Sequence, residues 1–199
     1  KERYKPIKKE TTAKKKTHPL KTIKILCRNK YFILITLAFA VIYTSLGLTG
    51  GSRIYYAKYV LGDEMLNSTM TMFNYIPTIL TIMLIPVFTK RFGKIKALFV
   101  GFLFYAAGLV LEIAGPVNLP MIYTGLVLQG IGHAALYSCL FAIVGDVVDY
   151  SEWKDGIREE GITYSVTSFG QKIGTGLGTA ALGWILAAGH YDGTAAVQS

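Results

Sequence analysis

The 199-residue chain is 52% hydrophobic with a mean hydropathy of +0.40, and its charges are clustered rather than spread, which excludes an ordinary water-soluble core. Its net charge of +9 would suit nucleic acid, but twelve of the 21 Lys and Arg lie in Lys1–Lys30, where Tyr4 is the one aromatic and no aromatic-basic repeat occurs, so no nucleic-acid partner is expected. The two cysteines, Cys27 and Cys139, have no metal-ligand spacing and are expected to stay reduced, so no metal site and no cofactor is expected.

Residues 1–30 are Lys-rich and interrupted by Pro6 and Pro19. A basic arm beside an apolar helix is the positive-inside signal, and it favours anionic lipid as well. We therefore read residues 1–30 as a cytoplasmic linker and residues 31–199 as an all-α integral membrane domain of about five spans. These are expected near 31–50, 67–88, 96–114, 119–145 and 161–189, each close to the roughly 20 apolar residues a crossing requires.

In the first span Gly50, Gly51 and Ser52 are expected to loosen the helix. Arg53 follows among Tyr55, Tyr56 and Tyr59 and reads first as a snorkelling interfacial cation, with a cavity residue beside a helix break as the alternative. The second span sets Thr71, Asn74, Thr78 and Thr81 on one face, with Pro77 expected to kink it. Its threonines are expected to bond back to their own helix, whereas Asn74 is expected to bond across helices. A basic turn, Lys90-Arg91-Phe92-Gly93-Lys94, leads to the third span, where Glu112 stands near the exit and reads as solvated. In the fourth span Gln129, His133 and Tyr137 repeat every four residues. Intramembrane ionisable groups start as functional candidates, and His133 is read first as a hydrogen-bonded structural residue.

The most specific stretch is Asp146–Lys172, DVVDYSEWKDGIREEGITYSVTSFGQK. Asp146, Asp149 and Glu152 share a helix face at a C-terminus, where the helix dipole disfavours anions. Cations should be near, and Lys154 and Arg158 are closest in sequence. Ser165, Ser168, Lys172, Thr175 and Thr179 form a polar stripe down the fifth span, while Gly170, Gly174 and Gly178 form a second stripe at the spacing that lets helices approach closely. Ser168 and Lys172 thus offer a hydroxyl and an ammonium one turn apart, a donor pair suited to sugar hydroxyls or a carboxylated sugar.

The same string resembles the signature DxVDYxEWKxGxRxEGIxYSxxSFxxK of the glycoside-pentoside-hexuronide cation symporters, the melibiose-carrier branch of the major facilitator superfamily. Asp146, Val148, Asp149, Tyr150, Glu152, Trp153, Lys154, Gly156, Arg158, Glu160, Gly161, Ile162, Tyr164, Ser165, Ser168, Phe169 and Lys172 keep its register. The phrase YYAKYVLGD is similar to the family's seventh helix. The resemblance implies the C-terminal half of a carrier, helices seven to eleven, with the N-terminal six-helix half and helix twelve outside this piece. It implies sugar:cation symport by alternating access, with Lys172, Ser168, Thr167 and Tyr137 facing the substrate and Asp146, Asp149, Arg158 and Tyr150 forming a gating charge network. The coupling cation, Na⁺, Li⁺ or H⁺, would bind mainly in the N-terminal half, so this piece by itself is expected to be inactive.

With the arm inside, eighteen of the 21 basic residues lie on the inner side, giving a multi-pass cell-membrane protein with its N-terminal arm in the cytoplasm. A membrane enzyme built on His133, Cys139, Asp146 and Asp149 is disfavoured because no catalytic spacing appears. The competing expectation is a non-transporting truncated module that associates through its glycine face.

Overall fold

A computed structural model describes residues 29–155, 158 and 160–191. The expected arm, residues 1–28, lies outside the described residues. Five α-helices follow one another: α1 Lys30–Tyr55, α2 Leu66–Phe92, α3 Lys94–Ala114, α4 Leu119–Asp155 and α5 Glu160–Ala188. Four of them are long and apolar enough to cross a membrane. The fifth has 29 residues, enough to cross at 1.5 Å per residue, but Lys172 and its Thr and Gly stripes make it more polar.

α1 starts at Asn29, whose side chain accepts from the Tyr31 amide at 3.0 Å, an ordinary N-cap. The same side chain donates to Ser151 Oγ at 3.0 Å, so one residue caps α1 and fastens it to the far end of α4. The expected loosening at Gly50–Gly51–Ser52 does not occur. The helix runs through these residues, and its irregularity is a π-helical turn, Tyr56–Val60, one turn later. Local glycine entropy is overridden because Gly51 packs against Leu182 of α5.

α2 accommodates Pro77 and Pro86 within one continuous helix. It ends at Gly93, whose φ of +87° reverses the chain directly into α3, a conformation that favours glycine. α4 outruns its expected end at Gly145 and continues to Asp155, carrying the acidic face on regular helix beyond the apolar segment.

α4 packs along α2 and α3, and α5 packs along α1. The α1/α5 contact is the expected glycine seam: a Cβ at Gly174 would collide with the Ala40 carbonyl, and one at Gly178 with the Thr44 carbonyl. Only backbone-to-backbone contact leaves so little room. Polar side chains join α2 to α4. Asn74 Nδ2 donates to the Leu126 carbonyl at 3.1 Å, and Thr78 Oγ1 donates to the Gly130 carbonyl at 3.0 Å as well as to its own helix at 2.8 Å. Asn74 does what its position suggested; Thr78 adds a crossing bond that was not expected. Thr71 bonds its own helix at Asn67.

Candidate functional site

Three groups of candidate residues occupy three different places. The first is the exposed side of α5, where Tyr164, Ser165, Ser168, Phe169 and Lys172 line a shallow open hollow. Within the polar stripe, Ser165, Thr175 and Thr179 donate to carbonyls of their own helix at 2.7–3.1 Å. Ser168 and Lys172 make no hydrogen bond or ion pair among the described residues. Two donors one turn apart are therefore uncommitted, on a helix flanked by apolar spans, where such groups are costly unless they meet a polar cavity or ligand.

Thr167 is not with them. It is fully buried, and its hydroxyl donates to the Thr163 and Tyr164 carbonyls. It shares the face of Gly170 and Gly174 that packs on α1. One residue of rotation, about 100°, separates it from Ser168, and that suffices to turn it from the open side into the seam.

Tyr137 is also elsewhere, in an aromatic column between α1, α3 and α4. Its ring stacks on Tyr43 at 5.7 Å and on His133 at 5.3 Å, and Tyr105 meets His133 at 4.7 Å. Tyr105 Oη shares a hydrogen bond with Ser45 Oγ at 3.1 Å. Among the described residues, the Tyr137 hydroxyl and the Gln129 amide nitrogen are buried without a hydrogen-bond partner. Among the described residues, His133 is held by its ring contacts with Tyr105 and Tyr137 and makes none of the hydrogen bonds first expected of it.

Two neighbours of this column differ from their first reading. Arg53 is only partly exposed and lies within electrostatic reach of Glu112, Tyr75 and Tyr105, which favours the cavity placement over the snorkelling one. Glu112 is half-buried beside Gln129 rather than solvated. The signal for both was the Gln129–His133–Tyr137 row, which marks a polar interior that long charged side chains from α1 and α3 can reach.

The third place is the end of α4. Lys94 Nζ donates to Asp146 at 2.6 and 2.8 Å and to the Ala142 carbonyl at 3.2 Å. Arg158 bonds Glu152 at 2.7 Å, Asp149 at 3.0 Å and Glu160 at 2.8 Å. Glu152, Glu160 and Asp149, in that order, hold the guanidinium even more firmly protonated than usual. Asp149 and Arg158 meet as the sequence suggested, but Asp146 pairs with Lys94 of α3 rather than with Lys154. Lys154 instead lies 5.9 Å from the ring of Tyr150. Tyr150 meets Tyr31 edge-on at 4.9 Å, so it joins this end of α4 to the start of α1. No group of three or more His, Cys, Asp or Glu suited to a metal ion occurs among the described residues.

The family model described as "MFS/sugar transport protein" matches residues 1–199. The chain is 31% identical over 185 residues to the isoprimeverose transporter of Lactiplantibacillus pentosus, covering 92% of this chain and 38% of that protein. It is 28% identical over 172 residues to the glucuronide carrier protein homolog of Escherichia coli, covering 85% and 38%. It is 24% identical over 168 residues to the raffinose carrier protein of Pediococcus pentosaceus, covering 83% and 26%. The chain thus spans well under half the length of these curated relatives. No solved structure matches.

Proposed function

This chain belongs to the MFS/sugar transport protein family, and from that premise we propose that it forms part of a sugar:cation symporter working by alternating access. The family is one of membrane transporters, not enzymes, and the chain is an all-helical, multi-pass part of such a domain. The similar proteins named for isoprimeverose, a glucuronide and raffinose support glycosides or sugar acids as the substrate class.

The uncommitted pair Ser168 and Lys172 carries the reading. An ammonium and a hydroxyl on one open helix face can each donate to a sugar oxygen, and a carboxylated sugar would gain a charge-assisted bond. In the whole carrier an N-terminal six-helix half would close the other side of the cavity and carry most of the site for the coupling ion, Na⁺, Li⁺ or H⁺. Thr167 would act through the packing of α5 on α1, and Tyr137 through the aromatic column.

The Lys94–Asp146 pair, the Arg158 cluster and Tyr150 lie at one end of the bundle, and the distribution of basic residues supports a cytoplasmic position for that end. Helices joined there by exposed ion pairs can part and rejoin as the halves rock, so sugar and cation would bias two global states. The competing reading, association through the glycine face, is weakened because Gly170, Gly174 and Gly178 are already buried against α1.

The test is binding of labelled glycosides and sugar acids to the full-length gene product in membranes. Lys172→Ala is expected to weaken binding at least tenfold, on the scale of one lost charged hydrogen bond. Unchanged affinity would remove Lys172 from the site.

A further inference from the structure

The α5 hollow holds one more open group beside the donor pair. Of its five lining residues, Ser165 donates its hydroxyl to the Gly161 carbonyl at 2.7 Å, and Tyr164 reaches toward α4, where a Cβ at Gly145 would lie 3.9 Å from its hydroxyl oxygen. That leaves Ser168, Lys172 and Phe169. Phe169 is 63% exposed and makes no ring–ring or ring–cation contact among the described residues. Tyr137, the aromatic that the motif would set against a substrate, is instead stacked between Tyr43 and His133.

At 100° and 1.5 Å per residue, Ser168, Lys172 and Phe169 fall within about 100° of arc and about 6 Å of helix axis, with Lys172 between the other two. A helical side chain leans toward the turn before it, so the Lys172 stem leads back over Ser168 and Phe169. One small patch thus brings together a hydroxyl, an ammonium and an open ring. Ser165 and Lys172 flank Phe169 on one side, Val166 and Ile173 on the other, so the ring stands on the border of the polar stripe. Aromatic surface beside a few placed polar groups is the usual composition of a small-molecule site.

A closed sugar ring has the matching chemistry. Its C–H bonds form an apolar face on which an aromatic ring can lie, and its hydroxyls or carboxylate project from the rim, where ammonium and hydroxyl donors can bond them. Ser168 and Lys172 alone would serve any polyol or acid; the ring adds a preference for the cyclic form.

Resting on the transport reading given above, we propose that Phe169 is a specificity-determining residue of this hollow, the platform on which the ring of a glycoside or cyclic sugar acid stacks while Ser168 and Lys172 bind its rim.

The experiment is equilibrium binding of labelled pentosides, hexosides and hexuronides to the full-length gene product in proteoliposomes, with thermal unfolding as the folding control. Phe169→Leu keeps apolar bulk without an aromatic ring and is expected to weaken the best-bound sugar about three- to tenfold. Phe169→Tyr restores the ring and should bind like the parent. In Phe169→Trp, sugar should change the emission of the added indole, read as the difference from the parent, and this arm decides alone if Phe169→Leu fails to fold. Parental affinity in Phe169→Leu, equal losses in Phe169→Leu and Phe169→Tyr, or no emission change at saturating sugar overturns the platform and leaves the transport reading standing. A folded parent that binds none of these sugars overturns the transport reading, and the platform with it.

Discussion

Lys94 and Asp146, 52 residues apart in sequence, meet through both carboxylate oxygens, with the lysine also donating to the Ala142 carbonyl. One ammonium therefore fastens the start of α3 to the charged extension of α4. Its side chain is 38% exposed and that of Asp146 57%, so the pair contributes at most about 1 kcal/mol. Lys94→Ala is expected to lower the unfolding temperature by no more than about 2–4 °C at low salt, and by less at high salt. A large loss that salt does not diminish would show that the contact is structural rather than a surface latch.

Arg158 gathers Glu152, Glu160 and Asp149, which ties the end of α4 to the start of α5. The guanidinium is 45% exposed, so screening limits the cluster to about 1 kcal/mol, or about fivefold in a conformational equilibrium. Arg158→Gln is expected to change the transport rate by about that factor and to leave sugar affinity nearly unaltered. Parallel uptake and equilibrium-binding measurements check this; a collapse of affinity at unchanged conformational populations would contradict it.

The glycine seam separates packing from composition. Gly174→Ala would drive a methyl into the Ala40 carbonyl, whereas a Cβ at Gly176 meets nothing within 4 Å. Overpacking of this kind costs about 1–3 kcal/mol, so thermal unfolding in lipid should show Gly174→Ala destabilised and Gly176→Ala close to the parent. Equal effects at both positions would mean that helix propensity, not the α1/α5 contact, decides.

Asn74 tests the α2/α4 joint. Its bond to the Leu126 carbonyl is buried, and interhelical bonds in membranes contribute about 0.6 kcal/mol on average, up to about 1.7. Asn74→Ala is expected to destabilise by that amount in equilibrium unfolding, and Thr71→Ala, whose hydroxyl bonds only its own helix, by less.

Much of this architecture is legible in the residues, because the signals are periodic and local. Apolar run length locates the helices, and a glycine every fourth residue marks a seam on α5. What the sequence does not reveal is how neighbouring helices are rotated. Ser168 and Thr167 are adjacent in the motif, yet one faces the open hollow and the other the seam with α1. Arg53 and Glu112 look like interfacial residues because each stands near a helix end, and only the packing of α3 on α4 brings Glu112 beside Gln129, with Arg53 within electrostatic reach. Asp146 has nearer basic neighbours in sequence than Lys94, but the close approach of α3 to α4 supplies the lysine.

The central claim is that this helical domain is part of a carrier that moves sugar by cation coupling. The most direct measurement is gradient-driven uptake of labelled glycosides and sugar acids into membrane vesicles containing the full-length gene product, with Na⁺, Li⁺ and H⁺ gradients imposed in turn. The account predicts accumulation above the external concentration for at least one sugar and one cation, abolished when that gradient is collapsed and strongly reduced in Lys172→Ala. Folded, membrane-inserted protein that accumulates none of these sugars under any of the three gradients would contradict it.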